Sequence, residues 1–284
     1  MKKSLLIIAL ISVLSLTAHL ADAQIKLPPA SSAQTVVQSL GISKATLTYH
    51  RPNMNGRKIF GDLVPYGEVW RTGANNVSVL TLESPVLIAG YELEPGSYGI
   101  FTIPRPDQWT VIISSNSQQW GAYAYKQEED LFRFNVTPQT LNHALETFTM
   151  GFADVTPNSA ELTIAWENTL ISMSLNFDQD EAIMESIDEA MSASGNKPYF
   201  QAAQYYYNND KDMAKALEWV NVAVENSPEA AHILLLKGRI QQRSGDLEGA
   251  IETAQKGIEL ATNANNSEYV RLNTQLLESA RNQR

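Results

Sequence analysis

The chain has 284 residues, room for two modest domains, and its 44% hydrophobic, 18% charged and 8% aromatic composition is that of a globular protein. Thirty-one acidic against twenty-one basic residues give a net charge of −10, a field that repels phosphate backbones and argues against nucleic-acid partners. The absence of cysteine removes disulfides, thiolate metal sites, iron–sulfur clusters, cysteine nucleophiles and a lipid-bearing cysteine together.

Met1-Lys2-Lys3 is a short positive region, followed by an almost wholly apolar run from Leu5 to Ala18 and by Ala21-Asp22-Ala23, a small-x-small cleavage signal. This is the pattern of a secretory signal peptide over residues 1–23, cut after Ala23. The run is about 14 residues long where a membrane-spanning helix needs about 20. No later segment is apolar enough to span, so the expectation is a soluble periplasmic or secreted protein with no membrane span after cleavage.

Within a β domain spanning residues 24–177, the apolar pattern from Gln34 to Phe177 mostly has a period of two, with β-branched and aromatic residues between Gly, Pro and Asn turns. The alternation predicts strands near 34–40, 44–50, 77–83, 86–93, 98–103, 109–114, 131–136, 146–155, 160–167 and 170–177. The last two read as a hairpin turning at Glu167-Asn168, with Leu162, Ile164 and Trp166 on one buried face and Ile171, Met173 and Leu175 on the other strand's. Pro95-Gly96 fits a type II turn in which glycine supplies the positive φ. With no helical pattern between strands, the predicted architecture is an antiparallel β-sandwich or flattened barrel.

Residues 178–284 change to a helical period. Asp178 or Asp180 is placed to cap a first helix near Glu181. A shift of 34 residues lays Asp212 on Asp246, Ala216 on Ala250, Leu217 on Ile251 and Val224 on Ile258. That period is the tetratricopeptide repeat's, with Gly238, Ala250, Gly257, Ala216 and Ala223 as the small residues where helices cross. Residues 181–194 and 267–282 read as flanking helices. The fold class is therefore α+β multidomain: a β domain, then tetratricopeptide-like α-helical repeats.

Between His50 and Val77 lies a stretch of about 26 residues without a clean period, long enough to mark a functional loop. Arg51, Arg57, Lys58 and Arg71 against Asp62 and Glu68 make it locally positive inside a β half of net −4. Guanidinium groups fork onto carboxylates or phosphates, and Gly56, Gly61, Gly67 and Gly73 let backbone N–H groups approach an anion. Arg51, Arg57, Arg71 and Asn75 are thus a candidate anion site. The same arginines also fit an internal role, pairing with Asp62, Glu68 and loop carbonyls.

The stretch carries a resemblance as well. Tyr49-x-Arg51-Pro52, Gly56-Arg57-x-Ile59-Phe60-Gly61, Leu63-Val64-Pro65-x-Gly67-x-x-Trp70-Arg71-Thr72-Gly73-Ala74-Asn75, Pro95-Gly96-x-Tyr98, Phe101-Thr102-Ile103-Pro104, Trp109-Thr110-Val111-Ile112 and Trp120-Gly121-Ala122-Tyr123 resemble the bacterial family called domain of unknown function 2911, over residues 33–175. The resemblance implies an exported β-rich domain, often followed by helical repeats, and brings no assigned activity.

No pair among His19, His50, His143 and His232 has metal-ligand spacing, and no nucleophile elbow, phosphate loop or dinucleotide fingerprint occurs. No catalytic residue, metal or cofactor is expected. Trp70, Trp109 and Trp120 with Tyr98, Tyr123 and Tyr125 either fill the core or line a sugar-binding face. Three readings follow. The leading one is a non-enzymatic cell-envelope protein whose β domain binds a ligand, an anionic small molecule or glycan, or a partner, while the repeats supply a second surface for a protein partner. The others are an enzyme acting on an anionic envelope polymer or metabolite, with the arginines and Asn75 orienting substrate, and a carbohydrate-binding module.

Overall fold

A computed structural model describes residues 27–284; the expected signal peptide and its cleavage point lie outside the described residues. The chain divides between Asp178 and Gln179 into two compact units. Among the described residues no helix is long and apolar enough to cross a membrane.

The first unit is built from two antiparallel sheets. One holds β1 (Ser32–Leu40), β2 (Ser43–Arg51), β3 (Ser78–Leu82), β6 (Gly96–Ile103), β7 (Trp109–Ser114) and β8 (Asp130–Val136), side by side in the order β1-β2-β3-β6-β7-β8. The other holds β4 (Val86–Ile88), β5 (Tyr91–Leu93), β9 (Gln139–Ala153) and β10 (Ser159–Asn176), in the order β5-β4-β10-β9. Alternation decides what each strand buries: Ala45, Leu47 and Tyr49 of β2 and Leu80 and Leu82 of β3 share one core with Ile88, Met150, Leu162, Ile164 and Trp166 of the second sheet. A smaller cluster, Val77, Phe101, Ile103 and Ile112, occupies the opposite face of the first sheet, where Ala122 and Tyr125 pack against it.

Three local expectations change. Residues 160–177 are not a hairpin but one 18-residue strand, β10. Glu167 lies inside it with φ 54°, and the pairing with β9 shifts register on both sides of it. This bulge moves the core-facing set from Leu162, Ile164 and Trp166 to Ile171, Met173 and Leu175 without reversing the chain. The single strand foreseen at 86–93 is a tight hairpin, β4 and β5, turned at Ala89 (φ 50°) and Gly90 (φ 86°). Gly96 begins β6 without a positive φ; what needs glycine there is Tyr98, whose hydroxyl would lie 2.8 Å from an added Cβ and which donates to the Glu94 carbonyl at 2.7 Å.

The second unit has six helices: α1 (Asp180–Ser192), α2 (Tyr199–Asn208), α3 (Met213–Asn226), α4 (Ala231–Arg243), α5 (Leu247–Asn263) and α6 (Ser267–Gln283). Asp212 caps α3 by accepting from the amides of Ala214 and Lys215, and Asp246, 34 positions on, caps α5 by accepting from that of Gly249. Ala216, Ala223, Gly238, Ala250 and Gly257 are all buried, and a Cβ on Gly238 would come within 2.6 Å of Leu276. The carboxylate of Asp180, one of the two residues expected as a cap, accepts from the Tyr205 hydroxyl and the Lys211 ammonium, each at 2.7 Å. It thereby ties the first turn of α1 to α2 and the turn after it.

Candidate functional site

β2 and β3 are hydrogen-bonded neighbours, so the loop between them leaves and re-enters one part of the first sheet. It is not loose. Ile59, Phe60, Val64 and Trp70 are buried in the shared core, and Phe60 meets Trp70, Trp109 and Trp166 edge-on. Its first residues are stitched to β9: the Phe148 amide donates to the Pro52 carbonyl at 2.9 Å and the Met54 amide to the Glu146 carbonyl at 2.7 Å. Its last part is bridged to β6, where Trp70 and Thr102 exchange both backbone hydrogen bonds.

A cleft of about 590 Å³ opens along this loop, within the usual size of a small-ligand site. Arg57, Arg71 and Asn75 line it together with Asn53, Asn55, Glu68 and Tyr123, and the Trp166 ring closes part of its wall. Arg51 does not line it. Its Nε donates to the Phe148 carbonyl at 3.1 Å and its Nη2 to Thr149 Oγ1 at 3.0 Å, so it fastens the end of β2 to β9. Arg57 is exposed and braces its own turn, donating to the carbonyls of Met54 at 2.8 Å and Asn53 at 2.6 Å.

Arg71 differs from both. Its Nε is buried without a hydrogen-bond partner. Among the described residues no carboxylate lies within salt-bridge distance of Arg51, Arg57 or Arg71. The pairing with Asp62 and Glu68 that would make the arginines internal braces is therefore missing. Burial pushes the Arg71 guanidinium below its ordinary pKa, and the neighbouring Tyr123 phenol acts in the opposite direction.

The backbone that holds Arg71 is strained. Thr72 is β-branched yet sits at φ 55°, a conformation that costs roughly 1–3 kcal/mol. It is kept there by full burial, by its hydroxyl's bonds to Thr102 Oγ1 at 3.0 Å and the Trp70 carbonyl at 3.3 Å, and by the Ser78 hydroxyl donating to its carbonyl. Gly73, at φ 137°, admits the His50 carbonyl, which would stand 3.0 Å from a Cβ. Asn75 follows at φ 56°. Three residues out of ordinary backbone space thus fix where one unpaired cation points.

The second wall comes from the segment between β7 and β8. Val77 donates to the Gln119 carbonyl at 3.0 Å and Gly121 to the Asn75 carbonyl at 2.8 Å, while Asn76 forms a bridge with Trp120. Trp70 and Trp109 are core residues, but Trp120 and Tyr123 are 64% and 85% exposed and stacked on each other, 5.8 Å between centroids. Composition and spacing gave no sign of which aromatics would stay outside. The far end of this segment is anchored by Tyr125, whose hydroxyl donates to Asp130 and accepts from Arg133. Burial first, then the Asp130 carboxylate, push the Tyr125 hydroxyl from 10.0 up to about 12. Because the folded state holds that proton more tightly than the unfolded chain, its contribution is intact below pH 10 and is lost as pH rises toward 12. Urea midpoints of Tyr125→Phe should therefore fall less between pH 10 and 12 than those of the unmodified protein; equal slopes would show that Tyr125 does not govern this range.

Residues 31–175, slightly more than half the chain, match the sequence profile of a family described as protein of unknown function (DUF2911). The chain belongs to this family. The match ends just before the boundary between the two units, so the DUF2911 region coincides with the two-sheet unit that carries the cleft. No curated protein and no solved structure matches the chain.

Proposed function

We propose that this is an exported binding protein whose DUF2911 unit captures an anionic ligand, through a carboxylate or phosphate group, in the cleft beside Arg71. The observation that carries the reading is Arg71 itself: a half-buried guanidinium with an orphaned Nε, held by strained backbone, in a cleft with one carboxylate against two arginines. A cation partly stripped of water and left without a counter-charge is costly in a finished fold, and an arriving anion offsets that cost. Export rests on the pattern of residues 1–23, and a periplasmic or secreted location follows from it. The helical unit is read as tetratricopeptide-like, a surface for a protein partner, because its capping aspartates and small crossing residues recur at the 34-residue period.

Thermal unfolding in increasing phosphate and acetate tests the site. Either anion should raise the melting temperature saturably, beyond chloride at equal ionic strength, and Arg71→Lys should lose the effect while remaining folded, since an ammonium lacks the two-pronged fork. If no anion stabilises the protein and Arg71→Lys unfolds it, the arginine is a structural residue and the reading fails.

A further inference from the structure

We infer that the anion taken by this cleft belongs to an acidic sugar, a pyranose bearing a carboxylate or phosphate, whose ring face rests on the stacked aromatic pair of Tyr123 and Trp120. The inference rests on the anion reading above and adds a second, separate feature. Two large aromatic side chains left in water normally turn inward; here both are mostly exposed and stacked at an interplanar angle of 22°. Tyr123 belongs to the cleft lining and is the electrostatic neighbour of Arg71. Trp120, outside the lining, stacks against Tyr123.

The placement is built into the backbone. Gly121 sits at φ 69°, and a Cβ there would come within 2.7 Å of the Tyr123 ring, so only glycine lets that ring fold back over its own turn. The amide of Gly121 donates to the Asn75 carbonyl, which locks the aromatic turn to the loop that carries Arg71. Beside Glu68, Arg57 and Ser31, the polar lining of the cleft holds the side-chain amides of Asn53, Asn55 and Asn75. The side chains of Asn55 and Asn75 make no hydrogen bond among the described residues, and each offers both a donor and an acceptor.

Each group matches one part of a charged pyranose. The axial C–H face of the ring is apolar and stacks on aromatic faces; the hydroxyls, donors and acceptors at once, suit side-chain amides; the acid group suits a guanidinium. A small inorganic anion would use Arg71 and leave the aromatic surface idle, and a neutral sugar would leave the cation unpaired.

Calorimetric titration of the full chain distinguishes these cases, with glucuronate, glucose 1-phosphate and an oligogalacturonate as probes and acetate, inorganic phosphate, glucose and cellohexaose as controls. At least one acidic sugar should bind tighter than its matching simple anion and than any neutral sugar, and should perturb Trp120 fluorescence. Tyr123→Ala and Trp120→Ala, both exposed positions, should each weaken it by up to about tenfold, and Arg71→Lys by about tenfold. Which acidic sugar responds, glucuronate or glucose 1-phosphate, tells the acid group. If acidic sugars bind no better than acetate or phosphate and the aromatic variants change nothing, the sugar inference falls while the anion site stands. If neutral glycans bind equally well and Arg71→Lys is silent, both fall, as they do if no probe binds.

Discussion

Trp166→Ala should cost about 3–5 kcal/mol of folding stability, the largest effect expected of any single change in the two-sheet unit. Trp166 is 2% exposed. Its ring lies 6.0 Å from that of Trp70 in a stacked arrangement and meets Phe148 edge-on at 5.7 Å, and its Nε1 donates to the Glu146 carbonyl at 3.1 Å. Alanine removes all of these and opens a void that neighbours fixed in two sheets cannot fill. Trp166→Phe should lose less than half as much, because it keeps a ring and because the Glu146 carbonyl still accepts from the Met54 amide. Urea unfolding followed by circular dichroism separates the two; an alanine variant with a near-native midpoint would show that this face of β10 does not carry the core. Since Trp166 also closes the cleft, the alanine variant should lose any anion response along with stability.

The second large effect has the opposite sign on stability. Arg71→Met keeps the length of the side chain, removes the orphaned Nε and removes a charge that burial disfavours. An unmatched buried donor costs about 1–3 kcal/mol, so the methionine variant should be more stable than the parent by roughly 1–2 kcal/mol while its response to phosphate or acetate disappears. A melting temperature that rises as binding vanishes is the signature of a residue kept for function at the expense of the fold. If Arg71→Met melts well below the parent, the guanidinium has a stabilising partner and the trade does not exist.

How much of this was legible beforehand varies with the range of the interaction that decides it. Strands such as β2 and β3 were readable because alternation within nine or five residues already determines which side chains meet the core. The helical period was readable for a similar reason: a capping aspartate acts on amides two or three residues away, so Asp212 and Asp246 carry their role locally. β10 was misread because a change of parity at Glu167 looks the same whether the chain turns back or bulges onward, and only its pairing with β9 decides. The loop after β2 stood out as a place, yet its three arginines could not be told apart. Arg51 is claimed by Phe148 and Thr149, almost a hundred residues later, and Arg71 is distinguished by what fails to reach it. Trp120 and Tyr123 stood among six candidate aromatics and could not be singled out, since an aromatic residue gives no local sign that it will remain outside.

The stitching of the loop to β9 and β6 also sets a timescale. Met54, Pro52 and Trp70 are held by backbone hydrogen bonds continuous with the two sheets, so the cleft's walls cannot swing apart without breaking ladder pairs. A ligand therefore meets a site already formed, and association should proceed in one bimolecular step, with an observed rate that rises linearly with ligand concentration and reaches no plateau. Differences in affinity among ligands or variants would then reside in how fast each complex comes apart rather than in how fast it forms.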